Sequence, residues 1–154
     1  NLGVQNASGE YVQIVGSRNV LEPDYIPILV EKLKSRPDVG CVGGDYRHVH
    51  DSPQGQVISR AMESKFGMGP GNYRTMQKNA YVDTVGVPLY RKAIFTEVGM
   101  FDENLTRNQD DDFNFRVRQK GYKILYVHNA QVTYLVRGNL KKAFWQFVQY
   151  GYFK

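Results

Sequence analysis

Three consecutive carboxylates, Asp110, Asp111 and Asp112, stand in the run NQDDDFNFRVRQKG from Asn108 to Gly121. A carboxylate within reach of a hydroxyl can act as its general base. Acids also suit the first turn of a helix, where exposed N–H groups and the dipole favour negative charge by roughly 0.3–1 kcal/mol each. One Asp satisfies that need, and three neighbours repel one another, so the triplet points to chemistry beyond a helix start. A second group, His48, His50 and Asp51 in YRHVHDSP, has the alternation that puts both histidines on one strand face. No third His or Cys lies near it in the sequence, and it reads as the polar surface of a strand, with no metal assigned.

These residues need elements to hold them. Phe113, Val117 and Arg116 fall on one face at helical spacing, and the run Gly121 to Leu135 that follows is β-rich. At the start of the chain, NLGVQN reads as the end of a helix, Ser8-Gly9 as a break, and Tyr11 to Val15 as a buried strand. Pro23 and Asp24 begin a helix with an apolar face of Ile28, Leu29, Val30 and Leu33, which Arg36-Pro37-Asp38 stops. Val39 to Gly44 reads as a short buried strand whose paired glycines allow close backbone approach or a simple turn. Gln56 to Phe66 has helical periodicity. The Gly-rich stretch Gly67 to Thr84 is long for a compact domain and reads as a mobile flap or a tether. A strand bearing Asp83 then runs to Arg91-Lys92 and a short helix ending at Gly99.

Composition bounds the function. The 154 residues are 42% hydrophobic and 23% charged, which suits one domain over residues 1–154 with a real core. No apolar run is long enough to cross a bilayer, Asn1 to Glu10 lacks signal-peptide character, and Cys41 is the single cysteine. A reducing, cytoplasmic setting is expected, at most at the cytoplasmic face of a membrane. The net charge of +5 suits nucleic acid, an anionic membrane or a phosphorylated substrate. The Asp triplet argues against nucleic acid. Residues 137–154 carry Phe144, Trp145, Phe147, Tyr150, Tyr152 and Phe153 with Arg137, Lys141, Lys142 and Lys154, the pattern either of an interfacial membrane helix or of a packing helix.

Several blocks together resemble one family. VGMFDE (Val98 to Glu103), then NQDDD and a helix turning at Gly121, resemble in order and spacing the acceptor-side motif of family 2 glycosyltransferases. NLGVQNASGEYV resembles the segment that leads into their central strand. FGMGPGNYR (Phe66 to Arg74) resembles the FGxGxxxxR segment of succinoglycan-type, exopolysaccharide-building members. The resemblance implies a GT-A (Rossmann-like) α/β fold, incomplete at its amino-terminal nucleotide-binding half, and an inverting transfer of sugar from a nucleotide sugar to a glycan or lipid-linked acceptor. It makes Asp110 the general base, with Gln109 at the position of the preceding acid. Asp83, Gln109, Asp111, Asp112, Gln146, Gln149 and Tyr150 become acceptor or sugar contacts, and Pro88 stands where members usually have a small residue.

Members also hold a divalent cation, Mn or Mg, with an Asp-x-Asp-like motif at the end of the first strand of this segment. Gly16, Ser17 and Arg18 occupy those positions here, so no metal is expected to bind. Arg18 could meet the diphosphate directly, against the alternative of a solvated surface arginine. The isolated chain is accordingly expected to be inactive, with a noncatalytic glycan- or membrane-binding scaffold as the alternative. An exposed strand edge leads to an expectation of self-association.

Overall fold

The computed structural model describes residues 1–64, 73–136 and 138–152. The elements in chain order are α1 (Leu2–Asn6), β1 (Tyr11–Gln13), β2 (Asn19–Leu21), α2 (Tyr25–Lys34), β3 (Val39–Val49), α3 (Pro53–Glu63) and a 3₁₀ turn (Tyr73–Thr75). They continue as β4 (Ala80–Tyr81), β5 (Leu89–Arg91), α4 (Lys92–Val98), α5 (Gln109–Gln119), β6 (Lys123–Leu135) and α6 (Leu140–Tyr152). The six strands form one mixed sheet in the order β1-β5-β3-β6-β2, with β4 also on β6. β3 and β6 are its parallel pair, and the other pairings are antiparallel.

The β3–β6 pair is the spine because residues 39–44 and 124–127 are buried without alternation, as strand segments covered on both faces must be. Val39, Cys41 and Val42 from β3 and Ile124, Tyr126 and Val127 from β6 are all buried. β3 runs five residues past the expected Gly44, to Val49, and its register jumps from Gly44↔Val127 to Asp45↔Gln131. β6 therefore bulges at His128 to Ala130, and the His128 N–H is held by Asn79 Oδ1 at 2.9 Å. Gly44 is where that bulge comes closest, since a Cβ there would overlap the Ala130 carbonyl oxygen. Gly44 thus serves the neighbouring strand, while a Cβ at Gly43 would meet the Gly86 carbonyl and the Val85 side chain. Gly44→Ala is expected to cost at least about 3 kcal/mol, the upper end of overpacking, because neither the Ala130 backbone nor the buried Tyr25 ring, held through its hydroxyl, can yield; urea unfolding measures it.

Local signals set most boundaries. Ser52 caps α3, its Oγ accepting the Gly55 N–H at 3.1 Å, and Pro53 opens the helix, three residues before the expected start at Gln56. β1 ends at Gln13 rather than Val15, because the chain turns at Gly16, whose carbonyl accepts the Asn19 N–H at 3.0 Å. α4 ends at Gly99, whose φ of 95° suits glycine, as the sequence indicates. Residues 65–72, which include the Gly67 to Asn72 part of the expected flap, lie outside the described residues. The remainder of that stretch contributes the 3₁₀ turn and β4, so Asp83 lies past a two-residue strand instead of on a longer one.

α5 is fixed by an aromatic nest. Phe113 is fully buried, with ring centroids 4.7 Å from Phe95, 4.8 Å from Phe101 and 5.3 Å from Tyr90. One turn of helix after Asp110, Asn114 is equally buried; it accepts from the Tyr90 hydroxyl at 2.8 Å and donates to Thr84 Oγ1 at 2.9 Å. The helix that carries the carboxylates is thereby tied to β5 and to the segment before it.

His48 departs from the expectation of polar surface. Its side chain is 1% exposed, packed between the rings of Tyr46 and Tyr134, with Nδ1 2.8 Å from Glu63 Oε1. Burial pushes its pKa down, with Glu63 opposing. The expected strand face carrying both histidines does not form: β3 stops at Val49, so His50 lies beyond it, and α3 folds back to cover His48.

Candidate active site

α1, β1, the segment from Val82 to Pro88, the start of α5 and one side of α6 enclose an open cavity of about 1350 Å³. Asn108 builds its acidic wall. It adopts a left-handed conformation, φ 59°, that asparagine tolerates, and its carbonyl accepts the Asp112 N–H at 3.1 Å to begin the helix. The preceding loop is pinned to the amino-terminal residue: Asn1 Nδ2 donates to the Phe101 carbonyl at 2.9 Å, and Asn1 Oδ1 accepts the Phe101 N–H at 3.1 Å.

The three aspartates separate by function. Asp110 and Asp111 line the cavity together with Gln109. Asp112 points away from it and grips Arg116 through Oδ2, at 3.0 Å from Nε and 2.8 Å from Nη2. That guanidinium also donates to the Val98 carbonyl at 3.0 Å and the Met100 carbonyl at 2.9 Å. Asp112 is thus a brace between α5 and the turn after α4, and the mutual repulsion of the triplet is reduced by one cation. Asp110 is open to the cavity, but dense protein surrounds it; desolvation, and then the charge of Asp111, push its pKa above the usual carboxylate value, with Arg74 opposing. A carboxylate with raised proton affinity and an open approach can accept a proton from a bound hydroxyl.

The other residues singled out in the sequence divide as well. Asp83 lines the cavity and is ion-paired with Arg118. Gln146 and Tyr150 line it from α6, with Gln146 Nε2 donating to the Tyr150 hydroxyl at 2.8 Å. Gln149 sits one face over, where it accepts from Arg107 Nη2 at 2.8 Å and lines a second, smaller cavity. Arg18 lines neither cavity, since the turn after Gly16 carries it toward β6, where its carbonyl accepts the Leu135 N–H at 3.0 Å. The cations among the described residues lining the large cavity are Arg74 and Arg107.

Arg74 had no role in the sequence reading beyond closing the FGxGxxxxR pattern. In the fold its guanidinium carbon lies 5.2 Å from the Tyr46 ring centre and 5.1 Å from that of Tyr73, which fixes it against the cavity wall. Tyr46 and Tyr73, also unassigned, come from elements 27 positions apart, and no local spacing signals their meeting. Opposite, Val87 is held in a left-handed conformation, φ 47°, that a β-branched residue before proline strongly disfavours. Its carbonyl accepts from the Tyr25 hydroxyl at 2.7 Å and from Gln13 Nε2 at 2.9 Å, which overcome the strain. The local backbone beside Pro88 is therefore unusual at Val87.

A divalent cation fits poorly. Positions 16–18 hold no carboxylate, and among the described residues no three His, Cys, Asp or Glu side chains come together.

A mixed sheet flanked by helices, with an acidic helix start facing an open cleft, is the architecture of a GT-A glycosyltransferase. The crystal structure of GalNAc-T7 with UDP, GalNAc and Mn2+ superposes with a TM-score of 0.64 at 13% identity, covering 88% of this chain and 29% of that one. The sequence matches the model of the family described as "Glycosyltransferase like family 2" over residues 1–149, and the chain belongs to that family. Among curated relatives, the succinoglycan biosynthesis protein ExoA of Rhizobium meliloti (strain 1021) is 27% identical over 94% of this chain and 44% of its own length. The dolichyl N-acetyl-alpha-D-glucosaminyl phosphate 3-beta-D-2,3-diacetamido-2,3-dideoxy-beta-D-glucuronosyltransferase of Methanococcus voltae is 24% identical, over 98% of this chain and 48% of its own. The poly-beta-1,6-N-acetyl-D-glucosamine synthase of Staphylococcus aureus (strain COL) is 25% identical over 88% of this chain and 33% of its own. The chain spans less than half the length of each of these relatives.

Proposed function

We propose that this chain forms the acceptor side of an inverting glycosyltransferase of polysaccharide biosynthesis. The observation that carries this reading is Asp110, a carboxylate of raised proton affinity at the head of α5, facing an open cavity. Asp110 takes the proton of an acceptor hydroxyl while that oxygen attacks the anomeric carbon of a nucleotide-linked sugar. The bond to the diphosphate breaks on the opposite face, the diphosphate leaves with the bonding electron pair, and the configuration inverts. The donor set does not fit a metal, and no step passes through one. Arg74 is the cation that the cavity wall offers to the departing diphosphate. α6 supports contact with the cytoplasmic face of a membrane through the exposed side chains of Phe144, Val148 and Tyr152, four apart along the helix, with Ala143 its buried residue. Among the described residues no helix is long and apolar enough to cross a membrane, and Arg137, Phe153 and Lys154 lie outside them.

The missing carboxylates at Gly16 to Arg18 favour a second reading, a noncatalytic scaffold that holds glycan without turnover. An NMR titration with UDP-, GDP- and dTDP-sugars, with and without Mn²⁺, separates the two. Saturable shifts at Arg74 and Asp110, with the Asp110 shift lost or weakened in Arg74→Ala, are expected of the transferase. Silence across the panel, with glycan binding retained, would leave the scaffold.

A further inference from the structure

The second cavity, of about 470 Å³, lies between the loop before α5 and the first turns of α6. Its cations are Arg107, Lys141 and Lys142; Trp145 and Tyr150 supply aromatic surface, and Gln146 and Gln149 supply amides. Neither Asp nor Glu is among its lining residues. We propose that this cavity binds the phosphate group of a phosphorylated acceptor glycan, so that Arg107, Lys141 and Lys142 hold the anion while Trp145 and Tyr150 face the sugar.

Three observations converge on it. Lysines in the first turn of a helix meet the positive end of its dipole, so Lys141 and Lys142 do nothing for α6 itself, whose first turn has no acid. Asn139 Oδ1 already caps that helix by accepting the Lys142 N–H at 3.0 Å. Next, Gln149 orients the Arg107 guanidinium, accepting from Nη2 at 2.8 Å, which sets a planar multidentate donor from one element against two ammonium groups from another. The three cations line one cavity with no carboxylate among its lining residues, so a bound anion would relieve their mutual repulsion. Finally, Arg107, Gln146 and Tyr150 line both cavities, so a ligand anchored here extends toward Asp110. This assignment rests on the proposed transfer for the word acceptor, but not for the binding itself.

The chain's single tryptophan is Trp145, in the wall of this cavity, so intrinsic fluorescence reports on it without a label. Glucose 1-phosphate is expected to change that emission saturably, glucose to have no effect, and inorganic phosphate to bind more weakly. Arg107→Ala and the double variant Lys141→Ala, Lys142→Ala are each expected to weaken glucose 1-phosphate by about tenfold or more, the loss of a charge-assisted contact. Equal responses to glucose and glucose 1-phosphate, equal affinity for phosphate alone, or variants that bind unchanged would each overturn the assignment. Vesicles of phosphatidylcholine with and without phosphatidylglycerol test the lipid source. A response to the anionic vesicles alone, with none to the sugar phosphate, would make the cavity part of a membrane contact and end the proposal. If the sugar phosphate binds as described and no nucleotide sugar does, the anion site stands and the transferase reading falls; the reverse pattern removes the anion site alone.

Discussion

In the transferase whose acceptor side this chain is proposed to form, asparagine in place of Asp110 is expected to lower sugar transfer by roughly 10²–10⁴-fold, the usual contribution of a general base, while raising the midpoint of thermal unfolding at neutral pH. Both effects follow from one property. In the folded chain desolvation and the neighbouring Asp111 raise the proton affinity of Asp110 above its usual pKa of 3.8. The folded state is thus favoured while Asp110 is protonated, and that contribution is lost as pH rises through the folded-state pKa. At neutral pH the ionised side chain is a net cost, which an uncharged amide of the same shape removes. Melting curves of the two proteins should accordingly separate at neutral pH and converge below pH 3.8. A stability gain together with lost transfer is what a residue kept for chemistry produces. An Asp110→Asn protein that melts lower at neutral pH, or transfers sugar at the parent rate, would show instead that Asp110 only starts a helix.

Phe113→Ala should remove about 3–5 kcal/mol of folding stability, the range for emptying a buried aromatic site. Phe113 touches no cavity, but its ring lies within 5.3 Å, centre to centre, of Tyr90, Phe95 and Phe101, from β5, α4 and the loop after it. Aromatic pairs of this kind add roughly 0.5–1.5 kcal/mol beyond buried area, so the cost belongs near the top of the range. A domain with ~5–15 kcal/mol in total has little left after that loss. Urea unfolding gives the magnitude. Since Asp110 stands one turn earlier on the same helix, the loosened α5 should also blunt the pH dependence of stability assigned to Asp110, which an effect confined to the core would not do. A Phe113→Ala protein within 1.5 kcal/mol of the parent would mean that the nest collapses around the gap.

The helix α5 (Gln109–Gln119), the stop at Gly99, the buried runs of β3 and β6 and the glycosyltransferase resemblance were all legible in the sequence, because each depends on residue type and spacing within a few positions. The sorting of the aspartates was partly legible. Asp112 and Arg116 are four apart, a spacing that pairs charges on a helix, so the brace carries a local signal. Arg118 meeting Asp83, Arg107 meeting Gln149 and the enclosure of Arg74 by Tyr46 and Tyr73 have no such signal.

By itself, the sequence determined most of the helices and the buried strands, which faces are apolar and where carboxylates could do chemistry, since those properties are set by side chains three or four residues apart. Tertiary structure alone decided that β3 lies beside β6, more than eighty residues later, with a bulge opposite Gly44. That pairing, and the return of α6 past the loop before α5, decide which charges face water, which face each other and which face an open cavity. Partners in a folded chain are chosen by where the sheet brings distant segments together, and the energy of each contact depends on that meeting rather than on either residue alone.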